Sequence, residues 1–162
     1  MARINLHHHI ANITTDNNDD CWAASTAMVM HRHSINGTNH VKALAAQARI
    51  PLSVGTLPDS SVQSLARVVR LGYHAFPRMP LTFDDLEGFL KRGPVVAFGF
   101  YNYPGMQSSF KHAVAIYAMI GDGTPRGTKI YMMDPASRRN PFSDDWQHFD
   151  TFVADITHIL SY

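Results

Sequence analysis

A single cysteine stands in a chain of 162 residues, and that scarcity excludes an internal disulfide framework. The histidines and the cysteine follow no Cys-x-x-Cys or His-x-x-x-His spacing. No metal site is therefore expected, and no cofactor. Charge of one sign is also missing. The net charge is +1 with histidines neutral, which gives no concentrated basic face for nucleic acid or an anionic membrane. Arg138-Arg139 and Lys91-Arg92 are isolated pairs and read as solvated surface. No apolar run approaches the roughly 20 residues of a spanning helix. The stretch Met1-Ala2-Arg3-Ile4-Asn5-Leu6 has no apolar segment followed by small residues, so no secretory signal is read there and the protein is expected to be cytoplasmic as synthesised.

The remainder is ordinary globular material. Hydrophobic residues make up 45% and charged residues 17%, enough to build a core and too apolar for disorder. One domain over residues 1–162 is expected. Residues 1–20 are polar and read as irregular, with 1–14 a peripheral arm. The run His7-His8-His9 reads as a tag remnant or part of that arm.

Cys21 sits where the turn-prone run Thr14-Thr15-Asp16-Asn17-Asn18-Asp19-Asp20 gives way to Trp22-Ala23-Ala24-Ser25-Thr26-Ala27-Met28-Val29-Met30. That places a thiol in the first turn of a helix capped by Asp19 or Asp20. Unsatisfied N–H groups and the positive end of the helix dipole favour thiolate there, which is the reactive form. The alternative is a small buried hydrophobe. Asp20, a carboxylate beside the thiol, would oppose ionisation unless it points away.

Helical spacing of Trp22, Ala23, Thr26, Ala27, Met30 and His31 carries this helix to about His33. A second helix is predicted over His40 to Arg49. A third, capped by Asp59-Ser60, runs to about Leu71 with Gly72 as its C-terminal stop. A strand follows over Tyr73 to Phe76. Thr82 caps a fourth helix from Phe83 to Lys91, ended by Gly93-Pro94. Strands then follow at Val95–Tyr101, His112–Ile120 and Lys129–Asp134, the last two joined across Gly121–Gly127. Trp146 to Phe152 is ambiguous, with Trp146 and Phe149 read as packing, and Val153 to Leu160 reads as an edge strand. Helices first and antiparallel strands after make an α+β arrangement.

A nucleophilic cysteine needs a base, and the base needs an orienting group. His112 opens one strand and Asp134 closes its hairpin partner, so both lie at the same end of the antiparallel pair. For His112 the plainer reading is a core histidine bonded to a carbonyl. For Asp134 it is a turn-forming Asp-Pro.

Cys21-Trp22-Ala23, then Lys111-His112-Ala113-Val114, then Met133-Asp134-Pro135 resembles a papain-like cysteine peptidase. The ordered landmarks Leu65-Ala66 to Leu71-Gly72, Phe83-Asp84-Asp85-Leu86 and Gly93-Pro94-Val95-Val96 extend the likeness over roughly residues 15 to 155. It is closest to the small bacterial branches: bacteriocin-leader double-glycine peptidases, plant-pathogen effector proteases and staphopains. The resemblance implies a helical N-terminal lobe carrying Cys21, an antiparallel β lobe carrying His112 and Asp134, and a cleft between them with Trp22 and Lys111 beside the reacting groups. It further implies a peptide or protein substrate, export by a specialised secretion system as an effector or toxin, and a cognate immunity or inhibitor protein. The family's glutamine six residues before the cysteine is missing. Thr15 stands there, and no glutamine precedes Cys21. Thr15, Asn17 and Asn18 are the candidate side-chain donors to an oxyanion, beside the Cys21 N–H. Two other readings keep this constellation: a deamidase or transglutaminase with the same triad, and an inactive papain-like binding module.

Overall fold

The computed structural model describes residues 3–13, 20–30, 37–52, 57–101, 110–135, 145–149 and 156–162. In chain order the elements are β1 (Ile4–His7), α1 (Cys21–Met30), α2 (Gly37–Ala48), α3 (Asp59–Val69), β2 (Gly72–Ala75), α4 (Phe83–Arg92), β3 (Val95–Tyr101), β4 (Phe110–Gly121), β5 (Thr128–Met133), β6 (Asp145–His148) and β7 (Ile156–Ser161). All strands join one antiparallel sheet in the order β2-β7-β3-β4-β5-β6, and β1 pairs with β4.

Helix α1 is the centre of the packing. Every residue from Cys21 to Val29 is buried, beyond the helically spaced Trp22, Ala23, Thr26 and Ala27 that the sequence singles out. The reason lies in composition: Ala23, Ala24 and Ala27 are fully buried and short, so the helix can be surrounded closely on all sides. Helices α1, α2 and α3 cover one face of the sheet and pack on Val96, Phe98, Ala113, Ala115 and Leu160. Leu86, Phe89 and Leu90 of α4 cover a second cluster with Val95, Ala97, Val114, Ile116 and Ile159. The side-chain period of two thus splits Val95-Val96-Ala97-Phe98 between two cores, which explains a continuous apolar run in an antiparallel strand.

The short helices follow local rules. In α3, Val62, Leu65, Ala66 and Val69 recur on one face and are buried. Its N-cap is Pro58, without a side-chain bond, so Asp59 is inside the helix and not its cap. Arg70 takes the left-handed position at the C-terminus with φ 58°, and Gly72, predicted to stop the helix, opens β2. In α4 the Thr82 hydroxyl accepts from the Asp85 N–H at 3.1 Å while the Thr82 N–H donates back to the Asp85 carboxylate at 3.3 Å. This is a reciprocal capping box, with Asp84 and Asp85 at the positive end of the dipole.

Three expectations change. The N-terminal residues are not wholly irregular: Ile4–His7 forms β1, opposite Ala118 to Gly121, and the His8 N–H donates to the Tyr117 carbonyl at 2.9 Å. Backbone pairing overrides the polar composition there. The final strand is interior and not an edge, since β7 lies between β2 and β3. Its residues are buried at five of six positions. The ambiguous stretch supplies β6, paired with β5, while Phe149 packs edge-on to Phe83 at 5.2 Å. Residues 31–36, predicted partly as helix and turn, and 102–109, within the loop predicted from Asn102 to Lys111, lie outside the described residues.

Candidate active site

The sequence separation of 22 between His112 and Asp134 is closed by strand register. Ala115 pairs with Met133 and Ile116 with Met132. The register ends there, so Asp134, the residue after Met133, lies towards the His112 end of β4. His112 is the third residue of β4, and Asp134 follows β5 directly. Their side chains meet: His112 Nε2 lies 2.6 Å from Asp134 Oδ1, with both residues buried. Bonding at Nε2 turns the opposite ring nitrogen, Nδ1, away from the carboxylate.

Cys21, at the first position of α1, lines a cavity of about 10 Å³ together with Trp22, Leu57, Phe98, Lys111, His112 and Ala113. That is space for about one water. The structure therefore brings together Cys21, His112, Asp134 and both candidate cleft residues, Trp22 and Lys111. Trp22 is almost fully buried, and its indole N–H has no hydrogen-bond partner among the described residues. Lys111 Nζ donates to the Leu57 carbonyl at 3.1 Å and lies 3.9 Å from Asp59 Oδ1, tying the segment before α3 to β4. His158 Nε2 approaches the same Asp59 oxygen at 3.6 Å. The candidate oxyanion donors Thr15, Asn17 and Asn18 lie outside the described residues.

The charge state differs from the expected thiolate. Burial pushes the Cys21 thiol up to about 11, against an ordinary value of 9.0. The backbone N–H of Ala113 opposes this, as do those of Trp22 and Cys21 at the helix start. The helix N-terminus thus acts in the predicted direction, but desolvation is larger. The Asp134 carboxylate further disfavours ionisation. Burial likewise pulls His112 down to about 4, and it outweighs the carboxylate at Nε2, which favours imidazolium. The resting pair is a neutral thiol and a neutral imidazole.

A stability consequence follows. Between about pH 6.5 and 4 the unfolded chain takes up a proton at His112 that the folded chain refuses. This contribution is fully present above pH 6.5 and is lost as pH falls towards 4, by on the order of 3 kcal/mol at most. Thermal melts of wild type and His112→Asn across pH 4–7 are expected to diverge, the variant losing less stability on acidification. Parallel curves would show that His112 does not titrate between the folded and unfolded states.

Sequence reasoning missed Ser25, Leu57 and Asp59. Ser25 was within reach, because a residue four positions after Cys21 lies on the same helix flank. Leu57 and Asp59 carry no motif and reach the site only through the fold.

A family model described as "Papain-like cysteine protease AvrRpt2" matches residues 6–152. The match takes in Cys21, His112 and Asp134 and all the elements from α1 to β6. No curated protein matches the chain.

Proposed function

The chain belongs to the papain-like cysteine proteases, a family of hydrolases, and from that membership we propose that it cleaves protein substrates with Cys21 as nucleophile, His112 as general base and acid, and Asp134 as the group that orients His112. The observation that carries the reading is the 2.6 Å contact between His112 Nε2 and Asp134 Oδ1 beside a cavity shared by His112 and Cys21.

The chemistry starts from the neutral pair. As Sγ of Cys21 attacks the scissile carbonyl carbon, His112 Nδ1 takes the thiol proton, and the imidazolium is stabilised by Asp134. The negative charge that develops on the carbonyl oxygen faces the N–H groups at the start of α1. A side-chain donor from Thr15, Asn17 or Asn18 completes the hole. Collapse of the adduct breaks the C–N bond, and His112 returns its proton to the leaving amine. A water, deprotonated by His112, then hydrolyses the Cys21 thioester and regenerates the thiol. Asp134 fixes the imidazole so that Nδ1, and not Nε2, faces the sulfur.

The protein acts as one domain over residues 1–162 and serves as a bacterial effector exported into a target cell, where its substrate resides. A cognate inhibitor protects the producing cell, since a self-contained protease would otherwise attack its maker. Among the described residues no helix is long and apolar enough to cross a membrane.

The test is a cell lysate exposed to wild type or Cys21→Ala, with new protein N-termini identified by mass spectrometry. New N-termini are expected with wild type alone. Mass increases of about one dalton at glutamine or asparagine, without new N-termini, would replace proteolysis by deamidation.

A further inference from the structure

Helix α1 and strand β4 carry the two halves of the proposed reacting pair, so whatever fixes one against the other fixes the attack geometry. Strand β3 stays beside β4 as far as Tyr101 opposite Phe110, but β5 parts from it at Ala115 opposite Met133. In the segment that β5 has left, α1 takes the place of a strand. The Ser25 hydroxyl donates to the Ala113 carbonyl at 2.9 Å, and both residues are buried. The Ala113 backbone also favours ionisation of the Cys21 thiol. This one strand residue, the neighbour of His112, is thus hydrogen-bonded to α1 by Ser25, one turn from Cys21. The bond is shut off from solvent, since Ser25 is 0% exposed and Ala113 1%. The other buried hydroxyl of the helix, Thr26, donates at 2.7 Å to the Trp22 carbonyl inside α1 and ties nothing to β4.

We propose that Ser25 is a positioning residue, whose bond to the Ala113 carbonyl sets the separation and angle of Cys21 relative to His112. The inference rests on the protease reading above but has a consequence outside it. Without the bond, the first two turns of α1 drift from β4. Misplacement by about an ångström costs on the order of 10²-fold in rate. The same drift admits water to the sulfur and lowers the desolvation that holds it as a thiol. Catalysis and thiol reactivity therefore move in opposite directions.

The test compares Ser25→Ala, Ser25→Thr and Thr26→Ala. For Ser25→Ala, kcat on a peptide substrate is expected to fall about 10- to 100-fold with KM within about twofold. Alkylation of Cys21 by iodoacetamide at pH 7, followed by intact mass, is expected to rise about fivefold, which is less than one pKa unit of easier ionisation. Ser25→Thr keeps the hydroxyl and restores both readouts towards wild type. Thr26→Ala loses a buried hydroxyl from the same helix and is expected to match wild type in both. Ser25→Ala indistinguishable from Thr26→Ala in alkylation and in kcat would overturn the proposal and leave Ser25 a structural residue only. Should wild type cleave nothing, the protease reading falls, while the alkylation comparison still decides whether Ser25 sets the thiol's surroundings.

Discussion

Cys21→Ala is expected to abolish peptide-bond cleavage while leaving the thermal midpoint within a few degrees of wild type. The thiol is the only one in the chain, so no second thiol can take over the attack. The expected loss in kcat/KM is on the order of 10⁵-fold or more, the scale seen when a covalent nucleophile is deleted from a triad. The stability cost is small because a buried cysteine behaves as a small hydrophobe. Removing one buried sulfur at a site with space for about one water costs roughly 1 kcal/mol. That shifts the midpoint of a domain this size by about 2–4 °C. A large fall in the midpoint would return Cys21 to the role of a core residue. Activity that survives the substitution would place the nucleophile elsewhere.

The second large effect is His112→Ala, for which kcat/KM at pH 7 is expected to fall about 10⁴-fold. With Cys21 held near 11 by burial, the thiol at neutral pH does not ionise without a base. His112 is the group whose depressed value keeps it ready to accept the proton. The wild-type profile is therefore expected to rise through about pH 4 and to stay high until the thiol ionises. In His112→Ala, turnover of an ester, whose leaving group needs no proton, is expected to recover as pH rises towards 11, because solution base then supplies the thiolate. This substitution also leaves Asp134 as a buried carboxylate without its 2.6 Å partner, so some loss of stability accompanies it. Combining it with Cys21→Ala is expected to add little, as residues acting as a unit are not additive. A His112→Ala protein that retains a tenth of wild-type activity would remove His112 from the mechanism.

Much of this site was legible in the chain. The lone thiol at a polar-to-apolar boundary, the histidine after a loop and the aspartate before a proline all stand where the fold brings them together. Antiparallel pairing turns the ends of adjacent strands into neighbours, and that rule needs only the strand boundaries. The resemblance to the papain-like proteases rested on the same ordered landmarks, and the family match spans residues 6–152. What the chain could not reveal was the strength of burial. The spacing of Trp22, Ala23, Thr26, Ala27, Met30 and His31 showed a helix. Complete enclosure, which makes desolvation outweigh the helix dipole at Cys21, depends on three helices and the sheet closing around it. Strand order was hidden for a similar reason. The last strand inserts between β2 and β3, a long-range pairing that no local pattern encodes. The Ile4–His7 strand was obscured by the polar and histidine-rich residues around it, whose backbone pairs regardless of side-chain character.

The proposed chemistry requires that Cys21 form a thioester with the acyl half of the substrate. Rapid mixing of the protein with the p-nitrophenyl ester of an N-blocked glycine, acid quench and peptide mapping would test it most directly. A burst of p-nitrophenolate equal to the protein concentration is expected, with an acyl group on the peptide that contains Cys21, both absent in Cys21→Ala. Cleavage of protein substrates without any adduct at Cys21, or an adduct on a different residue, would contradict it.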